Sequence, residues 1–184
     1  IDGAEDLGVF RFSGREAISE LYRFTVDFLA PTPLSRVFRN EALLRVAGAD
    51  DGPPRFIHGI VHTLGSLGTS RRGRLQRIEI VPRVALLQYR QDCRIFQNMT
   101  VEQICRKVIA QAGLPPDALR FTLCVEHAPR EYCVQYRESD WDFIRRILAE
   151  DGCNFYFEHI DTAHIMVVSD DPQSRTALPG GQVL

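Results

Sequence analysis

The stretch 130–159, REYCVQYRESDWDFIRRILAEDGCNFYFEH, admits few foldings, because its apolar period changes twice within one short span. Tyr132, Val134 and Tyr136 alternate with Glu131, Cys133 and Gln135, the period of a strand with one buried face and one wetter face. Arg137 and Glu138 are then expected to leave the strand. Ser139 can accept the Asp142 backbone N–H while the Asp142 carboxylate reaches back, a relative of the capping box that starts a helix. Trp141, Ile144 and Leu148, flanked by Phe143 and Ile147, form one apolar stripe over 140–150, and Asp142 stands four residues from Arg146, a spacing that allows an ion pair. Gly152 can adopt the left-handed turn that ends such a helix. Cys153, Phe155 and Phe157 then alternate with Asn154, Tyr156 and Glu158 as a second strand.

Glu138, Asp140 and Asp142 lie close in sequence, as acid/base pairs do in some enzymes. A helix N-terminus also favours carboxylates through its dipole, and that structural reading is preferred: the three are expected to be caps.

The first half reads as antiparallel sheet. Residues 9–12 form a short strand before a turn at Ser13-Gly14, and Tyr22, Phe24, Val26 and Phe28 alternate with Arg23, Thr25 and Asp27 until Pro31 and Pro33 end the strand. Residues 42–47 make a shorter strand closed by the turn 50–54. Residues 55–64 and 74–81 are expected as a hairpin joined by a Gly/Ser/Arg loop that carries Arg71, Arg72, Arg74 and Arg77 around Gly68 and Gly73. Residues 84–89 read as a short helical or irregular connector. Thr100 and Gln103 have capping-box spacing, and Val101, Ile104, Cys105, Val108, Ile109 and Ala112 mark a buried helix face that Gly113 ends. Residues 120–125 and 164–168 complete the strands, the last turning back on 153–159 through Asp161-Thr162. The tail 178–181 reads as a linker. Short connections and two main helices favour an α+β class built on a curved antiparallel sheet over a doubly wound parallel sheet.

With 184 residues, of which 45% are hydrophobic, the chain can bury a real core. Its formal net charge of −2 argues against a nucleic-acid surface, and the arginine cluster is read as a solvated loop. No apolar run approaches membrane-spanning length, and no signal peptide is legible. The start at Ile1 suggests a fragment. The five cysteines, Cys93, Cys105, Cys124, Cys133 and Cys153, contain no C-x-x-C pair and are expected to be reduced core residues. His58 and His62 would share a face if both lie on one strand, but two ligands without a third argue against a metal site, and no cofactor is expected. Neither a Ser/His/Asp spacing nor a phosphate loop supports a cell-wall hydrolase.

Three segments carry a family resemblance. Residues 129–144 with Leu148-Ala149-Glu150-Asp151-Gly152 and Phe155-Tyr156-Phe157-Glu158-His159, Phe56-Ile57-His58-Gly59-Ile60-Val61, and Asp92-Cys93-Arg94-Ile95-Phe96-Gln97-Asn98 together resemble the N-terminal region of the VgrG family, the valine-glycine-repeat spike of type VI secretion. The resemblance runs over about 21–179 and implies homology to the baseplate hub of contractile phage tails. A barrel-like tube domain follows from it. In that family such barrels are duplicated, and three chains arrange them in a pseudo-sixfold ring. The whole span 1–184 is then hub region, with the start of a second subdomain at its C-terminal end. The resemblance further implies a homotrimer in the full-length protein, contacts with the inner tube protein (Hcp) and baseplate proteins, assembly in the cytoplasm, and export by the apparatus without a signal peptide. No nucleic acid and no direct membrane insertion are implied. A phage or related injection-particle hub is the alternative. The signature residues are Arg130, Glu131, Tyr132, Gln135, Tyr136, Arg137, Glu138, Ser139, Asp140, Phe143, Gly152, Phe157, Glu158 and His159. They are expected to act structurally or at an interface, mainly within the chain. Cys153 and Asn154 depart from the family pattern of an apolar and an aromatic residue, which bears on the packing at that strand's start.

Overall fold

The computed structural model describes residues 7–31, 37–48, 52–71 and 73–171. Strands β1 (Val9–Arg15), β2 (Arg23–Ala30), β3 (Glu41–Val46), β4 (Arg55–Ser70) and β5 (Gly73–Val81) form one antiparallel sheet in the order β1-β2-β5-β4-β3. The alternation in β2 is met: Phe24, Val26 and Phe28 are buried, and Tyr22 just ahead of the strand is buried with them.

Two turns expected in this half are strand instead. Ser13 and Gly14 pair with Thr25 and Phe24, so β1 runs on to Arg15. The Gly/Ser/Arg segment is likewise no loop: β4 continues to Ser70, and Arg74 and Arg77 lie inside β5. Beyond Leu64, β4 is held by its pairing with β5. Arg77 stands directly opposite Asp27 on β2 and grips its buried carboxylate with two hydrogen bonds of 2.6 and 2.8 Å, which gives the basic side chain a partner inside the sheet. Arg72, Pro33 and the 178–181 tail lie outside the described residues, as do parts of the 50–54 turn.

A 3-10 turn, Arg83–Tyr89, leads to β6 (Gln91–Phe96) and then to α1 (Val101–Gln111), whose N-terminus carries the complete Thr100/Gln103 capping box. Strand β7 (Leu119–Thr122) is followed by β8 (Cys133–Ser139), α2 (Asp140–Glu150), β9 (Asn154–His159) and β10 (His164–Ser169). Strands β6 and β8 form an antiparallel ribbon, while β7, β10 and β9 form a small sheet. Its β9–β10 pair is the expected hairpin, but β7 joins β10 in parallel, the one parallel pairing among the described residues. One hydrophobic core runs without a break from Tyr22 and Phe28 through Ile104, Val108, Ile144 and Ile147 to Phe155 and Met166.

Within the organising stretch, Arg137 and Glu138 stay in the strand. Arg137 has φ of 50° and sits at a register shift, a bulge that lets β8 continue to Ser139. Ser139 caps α2 by accepting the Asp142 N–H at 3.0 Å, and Gly152 ends it with φ of 71°. The Asp142 carboxylate accepts from the Ser139 hydroxyl and meets Arg145; Arg146 pairs instead with Glu138 and Glu150, so the Asp142–Arg146 pair is not formed. Cys153, Phe155 and Phe157 are buried as the alternation requires. The departure at Asn154 has a consequence: its Oδ1 is the one buried side-chain N or O among the described residues without a hydrogen-bond partner.

Candidate functional site

The β6–β8 ribbon presents two unlike faces. Cys133 and Gln135 point inward, whereas Tyr132, Val134 and Tyr136 point out, with Tyr136 64% exposed. The wetter face of this strand is therefore the aromatic one. On β6, Ile95 pairs with Val134 and Cys93 with Tyr136, so apolar groups continue across the outer face. The Arg137 guanidinium stacks over the Tyr136 ring at 5.3 Å, and its carbonyl accepts from the Gln91 side chain. Glu131 lies at the strand's entry, its carbonyl accepting from Asn98 N–H.

Beneath the ribbon lies a polar node that the capping interpretation missed. Asp140 is wholly buried. Its Oδ2 accepts from Arg90 at 3.1 Å, and its Oδ1 accepts from Arg94 and from Gln135 Nε2. Gln135 closes the ring by accepting from Arg94 Nε at 2.8 Å and donating to the Glu138 carbonyl. An uncompensated buried carboxylate would be very costly, so the two guanidiniums are what allow it there. Asp140 thus joins β6, β8 and α2, while Phe143, fully buried, stacks on Phe96 directly behind it at 5.5 Å.

Arg130 forms a second tie. It donates to Glu150 at 2.6 Å, to Asp151 and to the Ile147 carbonyl, fastening the segment before β8 to the end of α2. Glu158 meets Arg120 across the small sheet.

A third node joins the two larger sheets. The Tyr22 hydroxyl donates to the His58 carbonyl at 2.5 Å, its ring packs edge-on to Phe157 at 4.9 Å, and His159 Nδ1 lies 3.1 Å from the His58 amide nitrogen. His159 Nε2 reaches Glu16 at 3.2 Å, and Glu16 also holds Arg55. Gly59 permits this approach, since a β-carbon there would stand 2.5 Å from the Val81 carbonyl and 2.9 Å from the Tyr22 hydroxyl. His62 does not join the cluster; it meets Tyr89 and Glu79 on another part of the sheet.

These arrangements bind structure to structure and do not assemble a reacting centre. Cys153 Sγ lies 4.0 Å from His127 Nε2, the nearest approach to a thiol–imidazole pair, but burial, aided by Asp151 and Asp170, pushes the thiol up to about 11, away from the thiolate a nucleophile needs. His127 is instead held between Asp170 and Asp151. Cys105 and Cys133 are buried too, whereas Cys93 and Cys124 are exposed, contrary to the expectation that all five would be core residues. Among the described residues no group of three or more His, Cys, Asp or Glu is placed to hold a metal ion.

The phage tail baseplate hub (GPD) family matches residues 15–184. The chain belongs to that family. Among curated relatives, the type VI secretion system spike protein VgrG4b of Pseudomonas aeruginosa is 38% identical over 175 residues, 93% of this chain and 21% of its own length. The spike protein VgrG3 of Vibrio cholerae is 30% identical over 207 residues, with 100% and 20% covered. This hub chain therefore spans about a fifth of the length of those relatives. A solved E. coli structure, described as a component of the type VI secretion system similar to the T4 bacteriophage tail proteins gp27 and gp5, matches with a TM-score of 0.85 and 26% identity over 95% of this chain and 49% of that one. A tail protein from Neisseria meningitidis shares the fold alone, at a TM-score of 0.56 and 13% identity over 85% of this chain and 44% of that one. The architecture is accordingly the curled antiparallel half-barrel of the tail hubs.

Within the hub fold, the three segments that carried the sequence resemblance meet in space. Arg94 of β6 reaches Asp140, and His58 of β4 reaches His159 of β9 across 101 positions of sequence. Sequence reasoning named most of these residues without seeing that they were partners. The usable signal for the Asp140 node was an acidic residue at a helix start with an amide side chain, Gln135, five positions earlier in the adjoining strand.

Proposed function

We propose that this chain is the hub portion of a type VI secretion spike, the base that joins the inner tube to a puncturing tip. The 38% identity to VgrG4b carries this reading, because it extends over 93% of the chain. The alternative, a hub of a contractile phage or related particle, has the same fold, and the tail protein of Neisseria meningitidis that shares it is 13% identical. In the complete spike the chain acts as part of a homotrimer that contacts the inner tube protein Hcp and baseplate proteins, is assembled in the cytoplasm and leaves with the spike. The span 1–184 serves as one hub region. Its signature side chains Arg130, Gln135, Glu138 and Asp140 act within the chain, a role supported by the hydrogen bonds each makes there.

The chain has no hydrolytic activity of its own. An actin cross-linking toxin VgrG1 of Vibrio cholerae is 35% identical over 123 residues, but the match covers only 11% of that protein, so its named activity does not transfer with the hub segment. The test is replacement of this segment in a full-length spike of the host that encodes it. Loss of Hcp release into the medium, with the downstream spike still folded and trimeric, is the expected result. Unimpaired release would remove the assignment. By itself the 184-residue chain should scatter light as a monomer or weak oligomer at micromolar concentration, and a tight trimer would refute that part.

A further inference from the structure

The last β4–β5 pair is Ile60↔Val81, and beyond it the backbone of His58 is served by side chains instead of a strand. Its N–H goes to His159 Nδ1 and its C=O receives the Tyr22 hydroxyl. The His58 ring faces the small sheet, with Nδ1 3.0 Å from His164 Nδ1. On the other side of His164, Nε2 accepts the Arg83 backbone N–H at 2.8 Å.

These partners fix every proton. A backbone N–H can only donate, so His164 Nε2 is bare and the neutral ring keeps its hydrogen on Nδ1. That hydrogen points at His58 Nδ1, which must be bare in turn, leaving the His58 proton on Nε2, 4.0 Å from Glu41 Oε2. Neither ring has a seat for another proton. One added to His164 would face the Arg83 N–H, and one added to His58 would face the His164 N–H. His159 sits outside this pair, its Nδ1 3.1 Å from the His58 nitrogen and 3.2 Å from the His58 carbonyl.

The charged groups around the pair come from every neighbouring element. They are Glu41 on β3, Arg83 in the 3-10 turn, Asp117 ahead of β7, Asp161 in the β9–β10 turn, and His159 with Glu16 behind it. Burial dominates, pushing His164 down to about 3, with His58, Arg83 and His159 acting in the same direction. Burial lowers His58 as well, against the pull of Glu41 and Asp161. A cavity of about 160 Å³ is lined by Glu41, His58, Arg83, Asp117 and His164, enough volume for water beside the rings.

We propose that His58 and His164 form an acid-released latch between the five-stranded sheet and the β9–β10 hairpin, closed while both rings are neutral and opened by proton uptake. This is independent of what the assembled spike contacts. Because the open form takes up protons at an ordinary histidine midpoint, its population relative to the closed form rises about tenfold per proton per pH unit below about 6.5.

The Arg83 amide, bonded to His164 Nε2, reports on the latch directly. In native-state hydrogen exchange on the 184-residue chain, corrected for intrinsic rates, opening at this amide should rise about tenfold or more from pH 6.5 to 5.5. The Ile104 and Val108 amides in α1 should not change. Nitrogen NMR at pH 7.5 should show the Nδ1–H tautomer for His164 and the Nε2–H tautomer for His58. The opposite tautomers, a His164 ring that titrates near 6.5 with Arg83 still protected, or loss of protection at the Arg83, Ile104 and Val108 amides together would each overturn the latch. His164→Gln retains an acceptor for Arg83 but no titrating nitrogen, so it should weaken the pH dependence at the Arg83 amide; an undiminished dependence would also overturn it. If that variant does not fold, the wild-type tautomers and exchange rates decide.

Discussion

The Asp140 node and the histidine node solve the same problem in opposite ways. Each fastens separate strands into one body at residues drawn from the signature segments. At the ribbon, a buried carboxylate is balanced by Arg90 and Arg94, so the junction depends on charge being present. At the sheet junction, the His58 and His164 imidazoles are linked through neutral tautomers, so that link depends on charge being absent. Burial opposes each set of polar groups, and the cost is offset only while that condition holds. The lesson is that the two halves should fail under different insults: one to removal of a partner, the other to a proton.

The largest expected effect breaks the charged node. Asp140→Ala leaves Arg94, with 13% of its side chain exposed, facing a buried space without its carboxylate, and should cost roughly 3–5 kcal/mol. Asp140→Asn keeps the shape and an acceptor and should cost less. A urea midpoint equal for the two variants would show that charge contributes nothing here. Just behind this node, Ile144 is 1% exposed. Ile144→Ala should cost on the order of 2–5 kcal/mol through lost burial and the cavity left behind. An unmoved midpoint would mean that this face of α2 is not packed in solution.

At the uncharged node, Tyr22→Phe removes the donor to the His58 carbonyl while keeping the ring against Phe157, and should cost about 1–3 kcal/mol by denaturant titration. Its pH signature separates it from the other node. His58 and His164 have lowered values when folded, so the unfolded chain binds more protons, and stability is complete above about 6.5 and falls as pH drops below it. Asp170 is also lowered, by the Cys124 and Val125 N–H groups and His127, but its contribution is intact above the unfolded value of 3.8 and is lost only below it. A stability curve flat from pH 7 to 4.5 would contradict the histidine window and leave the carboxylate one standing.

The elements were far more legible than their partners. The 140–150 helix, its Ser139 cap and the Gly152 stop could be read because they depend on neighbours within a few residues. β4 was cut short at Leu64 because Gly and Ser signal turns, whereas its continuation rests on pairing with β5. Which face of β8 would be buried could not be read either. Alternation marks two faces, but the choice was made by Arg94 and Asp140 meeting Gln135 from other elements. The same holds for His58 and His159, each visible in its own motif and joined only by the fold.

The smallest expected effect lies on the ribbon's outer face, and it sharpens what the Asp140 node is for. Tyr136 is 64% exposed, and its neighbours there are the Arg137 guanidinium and Cys93 across the strand pair. An exposed cation–π contact contributes about 0.5–1 kcal/mol at most, and the alanine left behind still occupies an open strand surface. Tyr136→Ala should therefore change the urea midpoint by little more than about 0.5 kcal/mol, the range of surface substitutions. Gln135→Ala, one residue away and pointing inward, removes both an acceptor for Arg94 and a donor to Asp140, and should cost several times more. If Tyr136→Ala proved as damaging as Gln135→Ala in the isolated chain, the outer face would be supporting the ribbon and the buried ring of hydrogen bonds would not be its main fastening.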